Sequence, residues 1–276
     1  MANLGLLYAK AGLTGFLHGG DELPSSTRST DVVIDQAHLA SYNEVCGFRV
    51  GGTVPITYPH VLGFPLQLEL MTERAFPFAL PGLVHIGNRI TQSRPLTAAE
   101  PLSLHVRIEN LRPHERGKQF DVVTTAAVSG ETVWTDTSTY LKRDGGAGSG
   151  TPAEPPPSTA AWRVPGDIGR RYAKVSGDRN PIHLHPLAAK AFGFPRAIAH
   201  GMWTKARCLA AFEGRLPDAY TVDVQFKAPV LLPAAVNFST DGEHFALHHP
   251  KSGKPHLKGA LTRYQPPAVD CGTTLP

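Results

Sequence analysis

A carboxylate and an imidazole five positions apart are the residues of this chain best suited to chemistry. Asp178 and His183 lie on either side of Asn180-Pro181, a pair that interrupts regular structure and favours a turn. A turn can bring both side chains to one point, where they could exchange protons with a shared water molecule. The same residues could instead be a turn-forming aspartate and a buried structural histidine.

The pair His200-Gly201 is the second feature with chemical meaning. Apolar residues recur around it at helical spacing, and Gly214 follows as a stop, which predicts a helix that begins near Gly201. The first amides of a helix have no intrahelical acceptor, and the positive end of the helix dipole favours negative charge. Gly201 is therefore a candidate oxyanion donor, because no side chain covers its N–H. The apolar positions are Ala199, Met202, Trp203, Ala206, Leu209 and Ala210.

The run from Tyr172 to His183, taken with the later His-Gly pair, resembles the hydratase motif of the MaoC-like family. This family contains (R)-specific enoyl-CoA hydratases and (3R)-hydroxyacyl-thioester dehydratases. Its motif aspartate and histidine form the catalytic dyad, so the resemblance implies catalytic roles for Asp178 and His183. It also implies that Asn180 helps to hold the loop and the water, and that Gly201 is the oxyanion donor.

One position departs from the family pattern. Many members carry an acidic residue two places after the motif histidine, where this chain has His185. His183, His185 and His200 could instead be metal ligands, since alternate residues of a strand point the same way. The preceding proline turn argues against a strand, and no third ligand has suitable spacing, so we expect no metal. The chain also has no glycine-rich phosphate motif, and we expect no cofactor.

Composition restricts the class of protein and its partners. The 276 residues are 41% hydrophobic, and 27 Lys and Arg stand against 23 Asp and Glu without a long basic block. This mild positive charge suits a phosphate-bearing ligand better than a nucleic-acid polymer. Three separated cysteines predict neither a disulfide framework nor a zinc knuckle and favour a reducing compartment. Without a signal peptide or an apolar run of about 18 residues, the chain is predicted to be cytoplasmic, with no membrane or nucleic-acid partner.

The chain is predicted to consist of two related halves. Residues 144–158 have the composition of a Gly/Pro-rich linker, and the segment from Tyr42 aligns with the segment from Tyr172 at an offset of 130. A second match aligns Pro95 with Pro229 at an offset of 134, which indicates a duplication.

The first half lacks the candidate dyad. Phe48 and Thr53 occupy the aligned positions of the aspartate and the histidine. We therefore expect residues 1–143 to form a degenerate domain and residues 159–276 to form the catalytic domain, with one active site per chain. The region around Phe48 is predicted to have a hydrophobic role, in packing or in lining an acyl channel.

Each half is predicted to contain a helix followed by strands. Residues 220–227 alternate between apolar and polar side chains, and shorter strands follow them between Asp-Gly and Ser-Gly turns. In the first half, Pro65 suggests a helix over residues 65–74. An antiparallel sheet around a long apolar helix is an α+β arrangement, and it is the hotdog fold that the resemblance also implies. Two copies make a double hotdog, as in bacterial dehydratases of this type. The other predicted strands are 83–92, 102–111, 119–128, 132–141, 235–240, 243–249 and 255–262.

The resemblance implies reversible hydration of a trans-2-enoyl thioester to a (3R)-3-hydroxyacyl thioester in fatty acid metabolism. The substrate would be an acyl-CoA or a thioester of acyl carrier protein, and the protein could be a homodimer. Asp178 is favoured as the base and His183 as the acid. Lys205 or Arg207, on the polar side of the predicted helix, could contact a coenzyme A phosphate, although exposed charges are the simpler interpretation. Two alternatives stay open: a hotdog acyl thioesterase, and a non-catalytic subunit that binds acyl thioesters.

Overall fold

A computed structural model of the chain describes residues 22–144 and 157–265. Ten strands form one continuous antiparallel sheet in the order β1-β3-β4-β5-β2-β7-β10-β9-β8-β6. The strands are β1 (Thr27–Val32), β2 (Leu83–Gln92), β3 (Leu102–His114), β4 (Gly117–Val128), β5 (Glu131–Arg143), β6 (Ala160–Val164), β7 (Tyr220–Phe226), β8 (Ala234–Thr240), β9 (His244–His248) and β10 (Pro255–Arg263). The helices are α1 (Gln36–Cys46), α2 (Tyr58–Met71), α3 (Ile168–Ser176), α4 (Pro181–Leu184), α5 (Pro186–Ala191) and α6 (Gly201–Ala210).

The sheet joins the two halves at its centre, where β2 pairs with β7. Arg89 and Asp223, which are 134 positions apart, face each other across this pair with a nitrogen–oxygen distance of 3.1 Å. Tyr42 and Tyr172, aligned in the repeat, also meet, with ring centroids 6.3 Å apart. Residues on a two-fold axis contact their own counterparts, so these pairs support the duplication. Most of the predicted linker, residues 145–156, lies outside the described residues.

The two central helices are mostly buried, as expected for helices wrapped by a sheet. Helix α6 begins at Gly201, as predicted. Helix α2 differs from the prediction, because it begins seven residues earlier, at Tyr58, with Pro59 in its first turn and Pro65 inside. An internal proline removes a helical hydrogen bond and costs roughly 3 kcal/mol. Burial of most of α2 against the sheet offsets this cost.

The eight predicted strands are all present, with ends shifted by at most three residues. The edge strands β1 and β6 and the helices α1, α3, α4 and α5 were not predicted. No helix in the two described ranges is long and apolar enough to cross a membrane.

Candidate active site

The candidate dyad lies where α3 turns into α4. Gly177 ends α3 in the left-handed region, with a φ of 73°, and its N–H donates to the Ala173 carbonyl at 3.1 Å. Glycine suits this conformation because it has no Cβ. The chain then reaches Asp178, whose N–H donates to Ser176 Oγ at 3.2 Å. These contacts place the carboxylate at a tight turn.

Asn180 connects this turn to the short helix α4. Its N–H donates to Asp178 Oδ1 at 3.0 Å, and its side-chain oxygen accepts the Ile182 N–H at 3.4 Å as the N-cap of α4. Asn180 therefore fixes the carboxylate relative to the helix that carries His183. This contact supports the predicted loop-holding role.

The orientation of the His183 ring is set by a backbone carbonyl. Its Nδ1 lies 2.9 Å from the Ile198 oxygen, and a carbonyl can only accept, so Nδ1 carries the proton. Burial lowers the pKa of His183 below 6.5, although the Asp178 carboxylate and the Ile198 carbonyl oppose this shift. A neutral His183 therefore offers Nε2 as a proton acceptor.

Gly169 allows α3 to approach the backbone of His183. A Cβ at this position would lie 2.1 Å from the His183 oxygen, a distance that real side chains do not tolerate. Gly169 is therefore a positioning residue for the dyad. The sequence analysis did not identify Gly169. A glycine inside a helix-like run, just before the motif, could have indicated a close approach of two backbone segments.

His200 was considered only as a metal ligand, yet it contacts the dyad directly. Its Nε2 lies 3.1 Å from the Asp178 carbonyl and 3.7 Å from Asp178 Oδ2. Its ring stacks on that of His183 with centroids 3.7 Å apart. Burial, reinforced by His183, lowers the pKa of His200 to about 3, so the ring is neutral. His200 thus holds the Asp178 turn against the start of α6.

Gly201 is the first residue of α6, and no acceptor for its N–H lies within hydrogen-bonding distance in the described part of the chain. A Cβ here would lie 3.1 Å from the ring of Phe226. The lack of a side chain therefore allows the Phe226 ring to pack closely, while the N–H keeps its capacity to donate.

A cavity of about 500 Å³ brings these residues together. Asp178, Asn180, His183 and Gly201, all predicted from the sequence, line it with His200. The first half supplies much of the opposite wall. Its contributions include His60, Phe64, His85, Tyr140 and Lys142.

Comparison with known proteins agrees with this geometry. A family model described as a MaoC-like domain matches residues 150–250. The 3-hydroxyacyl-thioester dehydratase X of Mycobacterium tuberculosis is 42% identical over 268 residues, which are 93% of this chain and 96% of that protein.

The chain belongs to the MaoC-like dehydratase family. The crystal structure of HtdX from Mycobacterium tuberculosis superposes with a TM-score of 0.78 and 41% identity, covering 87% of this chain and all of that one. A MaoC-like dehydratase from Phytophthora capsici shares the fold, with a TM-score of 0.67 and 18% identity over 88% of this chain and 96% of that one. The double hotdog fold is thereby confirmed.

The three histidines considered as metal ligands do not come together in the structure, because His185 lies apart from His183 and His200. His185 is exposed and caps α5 by accepting the Leu187 N–H at 3.2 Å, away from the cavity. Asp178, His183 and His200 do offer ligand atoms within 4.8 Å of one another. However, the two imidazoles stack with 28° between their planes, and one nitrogen of each is already hydrogen-bonded to a backbone carbonyl. This arrangement suits proton transfer, the chemistry of MaoC-like enzymes, better than a shared metal.

The other predicted positions lie away from the cavity. Phe48 packs beside Tyr42 with ring centroids 6.4 Å apart, and Thr53 is exposed. Lys205 is buried and donates to the Asn88 and Val222 carbonyls at 3.1 and 3.3 Å. Arg207 lies 4.3 Å from the centroid of the Trp162 ring. The suggestion that Lys205 contacts a phosphate is therefore wrong, because Lys205 is buried, while for Arg207, which lies outside the cavity, it stays a prediction.

Proposed function

We propose that the protein catalyses the reversible hydration of trans-2-enoyl thioesters to (3R)-3-hydroxyacyl thioesters. The observation that carries this proposal is the meeting of Asp178, His183 and the Gly201 N–H in one cavity. A carboxylate, a neutral imidazole and a backbone donor can supply the base, the acid and the oxyanion donor that addition of water to an enoyl thioester uses.

The Gly201 N–H would bind the thioester oxygen. This contact withdraws electrons from C3 and stabilises the enolate that forms when water adds there. The dipole of α6 acts in the same direction, because its positive end lies at Gly201.

Asp178 and His183 would hold the attacking water between them, within about 2.6–3.2 Å of its oxygen. His183 Nε2 accepts a proton from the water as the C3–O bond forms, and then delivers that proton to C2 of the enolate. Asp178 orients the water and stabilises the transient imidazolium. This assignment moves the base role, favoured for Asp178 from the sequence, to His183 and keeps His183 as the acid. The reason is that Nδ1 of the neutral ring already donates to Ile198, which leaves Nε2 as the acceptor.

The test is an assay of the purified chain alone with a trans-2-enoyl-CoA, followed as the loss of enoyl absorbance. We expect a (3R)-hydroxyacyl product without release of thiol. Thiol release from a saturated acyl-CoA would favour the thioesterase alternative, and no turnover without a partner would favour the non-catalytic one.

We also propose that the acyl group is carried by coenzyme A or by an acyl carrier protein. Lys142, Arg143 and Lys227 line the cavity. Arg143 and Lys227 are exposed, which suits the phosphates of coenzyme A or of an acyl carrier protein.

We assign the catalytic domain to residues 159–276 and the degenerate one to residues 1–143. A cytoplasmic location, supported by the unpaired buried thiols of Cys46 and Cys208, and a homodimer stay predictions.

A further inference from the structure

A second histidine–carboxylate pair lies on the wall of the same cavity, in the first half of the chain. His60, in the first turn of α2, places Nδ1 2.5 Å from Asp136 Oδ2. The side chains are 6% and 0% exposed, and His60 lines the cavity. The reaction proposed above makes no use of this pair.

Asp136 is held firmly by its neighbours. Its Oδ1 accepts the Asn88 side-chain amide at 2.5 Å and Ser138 Oγ at 3.2 Å. The Asn88 oxygen in turn accepts the buried ammonium of Lys205, on the helix that begins at Gly201. A carboxylate fixed on both oxygens gives His60 one orientation.

This orientation defines what His60 can bind. A carboxylate only accepts, so Nδ1 carries the proton and the Nε2 lone pair is left as an acceptor. His85 lines the same wall, stacked on Tyr140 with centroids 4.7 Å apart, and its buried Nε2 has no partner among the described residues. Tyr140 adds a hydroxyl, which can donate or accept. A ligand hydroxyl can donate to one of these nitrogens and accept from the Tyr140 hydroxyl.

Burial along β5 indicates which part of a thioester comes here. The strand runs from the exposed Arg143, through the half-buried Lys142 and Tyr140, to the fully buried Asp136. The charged phosphates of the carrier suit the exposed cationic end, so the acyl chain is the part that suits the buried wall. An alkyl chain in this place would leave the buried His85 Nε2 unpaired.

We propose that His60, His85 and Tyr140 form a subsite for a hydroxyl group carried by the acyl chain beyond C3. This inference rests on the proposed hydration of enoyl thioesters. It names the substrate class, because acyl chains with a distal hydroxyl are preferred over plain alkyl chains of equal length.

The experiment compares pairs of trans-2-enoyl-CoA substrates of equal length, one unsubstituted and one with a hydroxyl at successive carbons beyond C3. For the best position, we expect kcat/KM to be higher by about tenfold or more with the hydroxyl. His60→Asn keeps an amide donor for Asp136 but removes Nε2, and should bring the ratio close to one. Tyr140→Phe should also reduce it. Phe64→Leu, which changes the same wall without changing its hydrogen bonding, should leave the ratio unchanged.

Equal kcat/KM values for every pair in the wild type would overturn the subsite. An equal loss on both substrates in His60→Asn and Tyr140→Phe would also overturn it, because the residues would then contact the pantetheine arm or support the fold. If His60→Asn does not fold, Tyr140→Phe decides. If the wild type hydrates neither substrate, the proposed function fails, and the ratio of calorimetric affinities for the two saturated acyl-CoAs decides the subsite separately.

Discussion

His183 carries its ring proton on Nδ1, and this limits what the ring can do to a bound water. The Ile198 carbonyl holds that proton at 2.9 Å, so only Nε2 can exchange protons with a substrate. Asp178, one-quarter exposed, keeps contact with solvent at the cavity. The two groups therefore differ in burial and in hydrogen bonding, which is why we propose proton transfer for the imidazole and orientation of the water for the carboxylate.

Conservative changes in the dyad test these roles. Asp178→Asn and His183→Asn should each lower kcat by about 10²–10⁴-fold, the range for a lost general acid or base. Asparagine at position 183 can still donate to the Ile198 carbonyl but has no Nε2. His185→Ser retains a cap acceptor for α5, lies outside the cavity, and should leave kcat within about twofold. Near-wild-type turnover in either soluble dyad variant would contradict the mechanism.

The pH dependence follows from the shift in His183. Its neutral form is the active one, and burial lowers its pKa below 6.5. Activity in the hydration direction should therefore persist as the pH falls below 6.5, and decline only as the pH passes through the lowered pKa. The measurement is kcat/KM against pH, with circular dichroism at each pH to exclude unfolding. An acid limb at or above 6.5 would contradict a lowered pKa for the imidazole that accepts the proton.

At the scale of elements, apolar patterns and turn signals predicted eight of the ten strands of the sheet and missed the edge strands β1 and β6. Alternation placed β7, whose apolar and polar side chains follow one another from residue 220 onward. These patterns failed at α2, because Pro65 is locally unfavourable in a helix and only burial against the sheet makes it tolerable. They could not find Gly169, whose importance arises from contact with an element fourteen positions away.

The packing of α3 against α4 can be tested by a substitution at Gly169. In Gly169→Ala, the new Cβ would press on the His183 oxygen, and overpacking of this kind costs about 1–3 kcal/mol. We expect a lower Tm and, because His183 moves, a lower kcat. Gly166→Ala is the matched control, since its nearest non-local neighbour would be 3.7 Å away, at Pro233. Equal behaviour of the two variants would mean that α4 does not depend on this contact.

The start of α6 is tested by comparing two substitutions at Gly201. Both Gly201→Ala and Gly201→Pro add a Cβ toward the Phe226 ring, but only proline deletes the N–H. Proline is tolerated in the first turn of a helix. Relative to the alanine variant, the proline variant should lose about 10²–10³-fold in kcat, as for removal of one oxyanion donor. If both folded variants turn over equally, the oxyanion must be stabilised elsewhere.

At the scale of the whole molecule, the cavity is a joint product of the two halves. The motif of the second half predicted Asp178, Asn180, His183 and Gly201 because they are close in sequence or match a family pattern. The facing wall comes from α2, β2 and β5, and no local pattern marks these residues as functional. His60 became visible only when the sheet brought β5 against α2 and paired it with Asp136.

Because both halves of the chain build one cavity, we predict one active site per chain. The first-half counterparts of the dyad do not line the cavity, because Phe48 is half-buried against the core and Thr53 is exposed. The first-half residues that do line it face the dyad of the second half, so they complete that site. Calorimetric titration with a tight non-hydrating enoyl-thioester analogue should therefore saturate near one ligand per chain. In Asp178→Asn the stoichiometry should stay the same while turnover is lost, because the wall supplied by the first half is intact. Saturation at two equivalent ligands per chain would mean that the first half retains a binding site of its own, and the alignment of Phe48 with Asp178 would have to be given up.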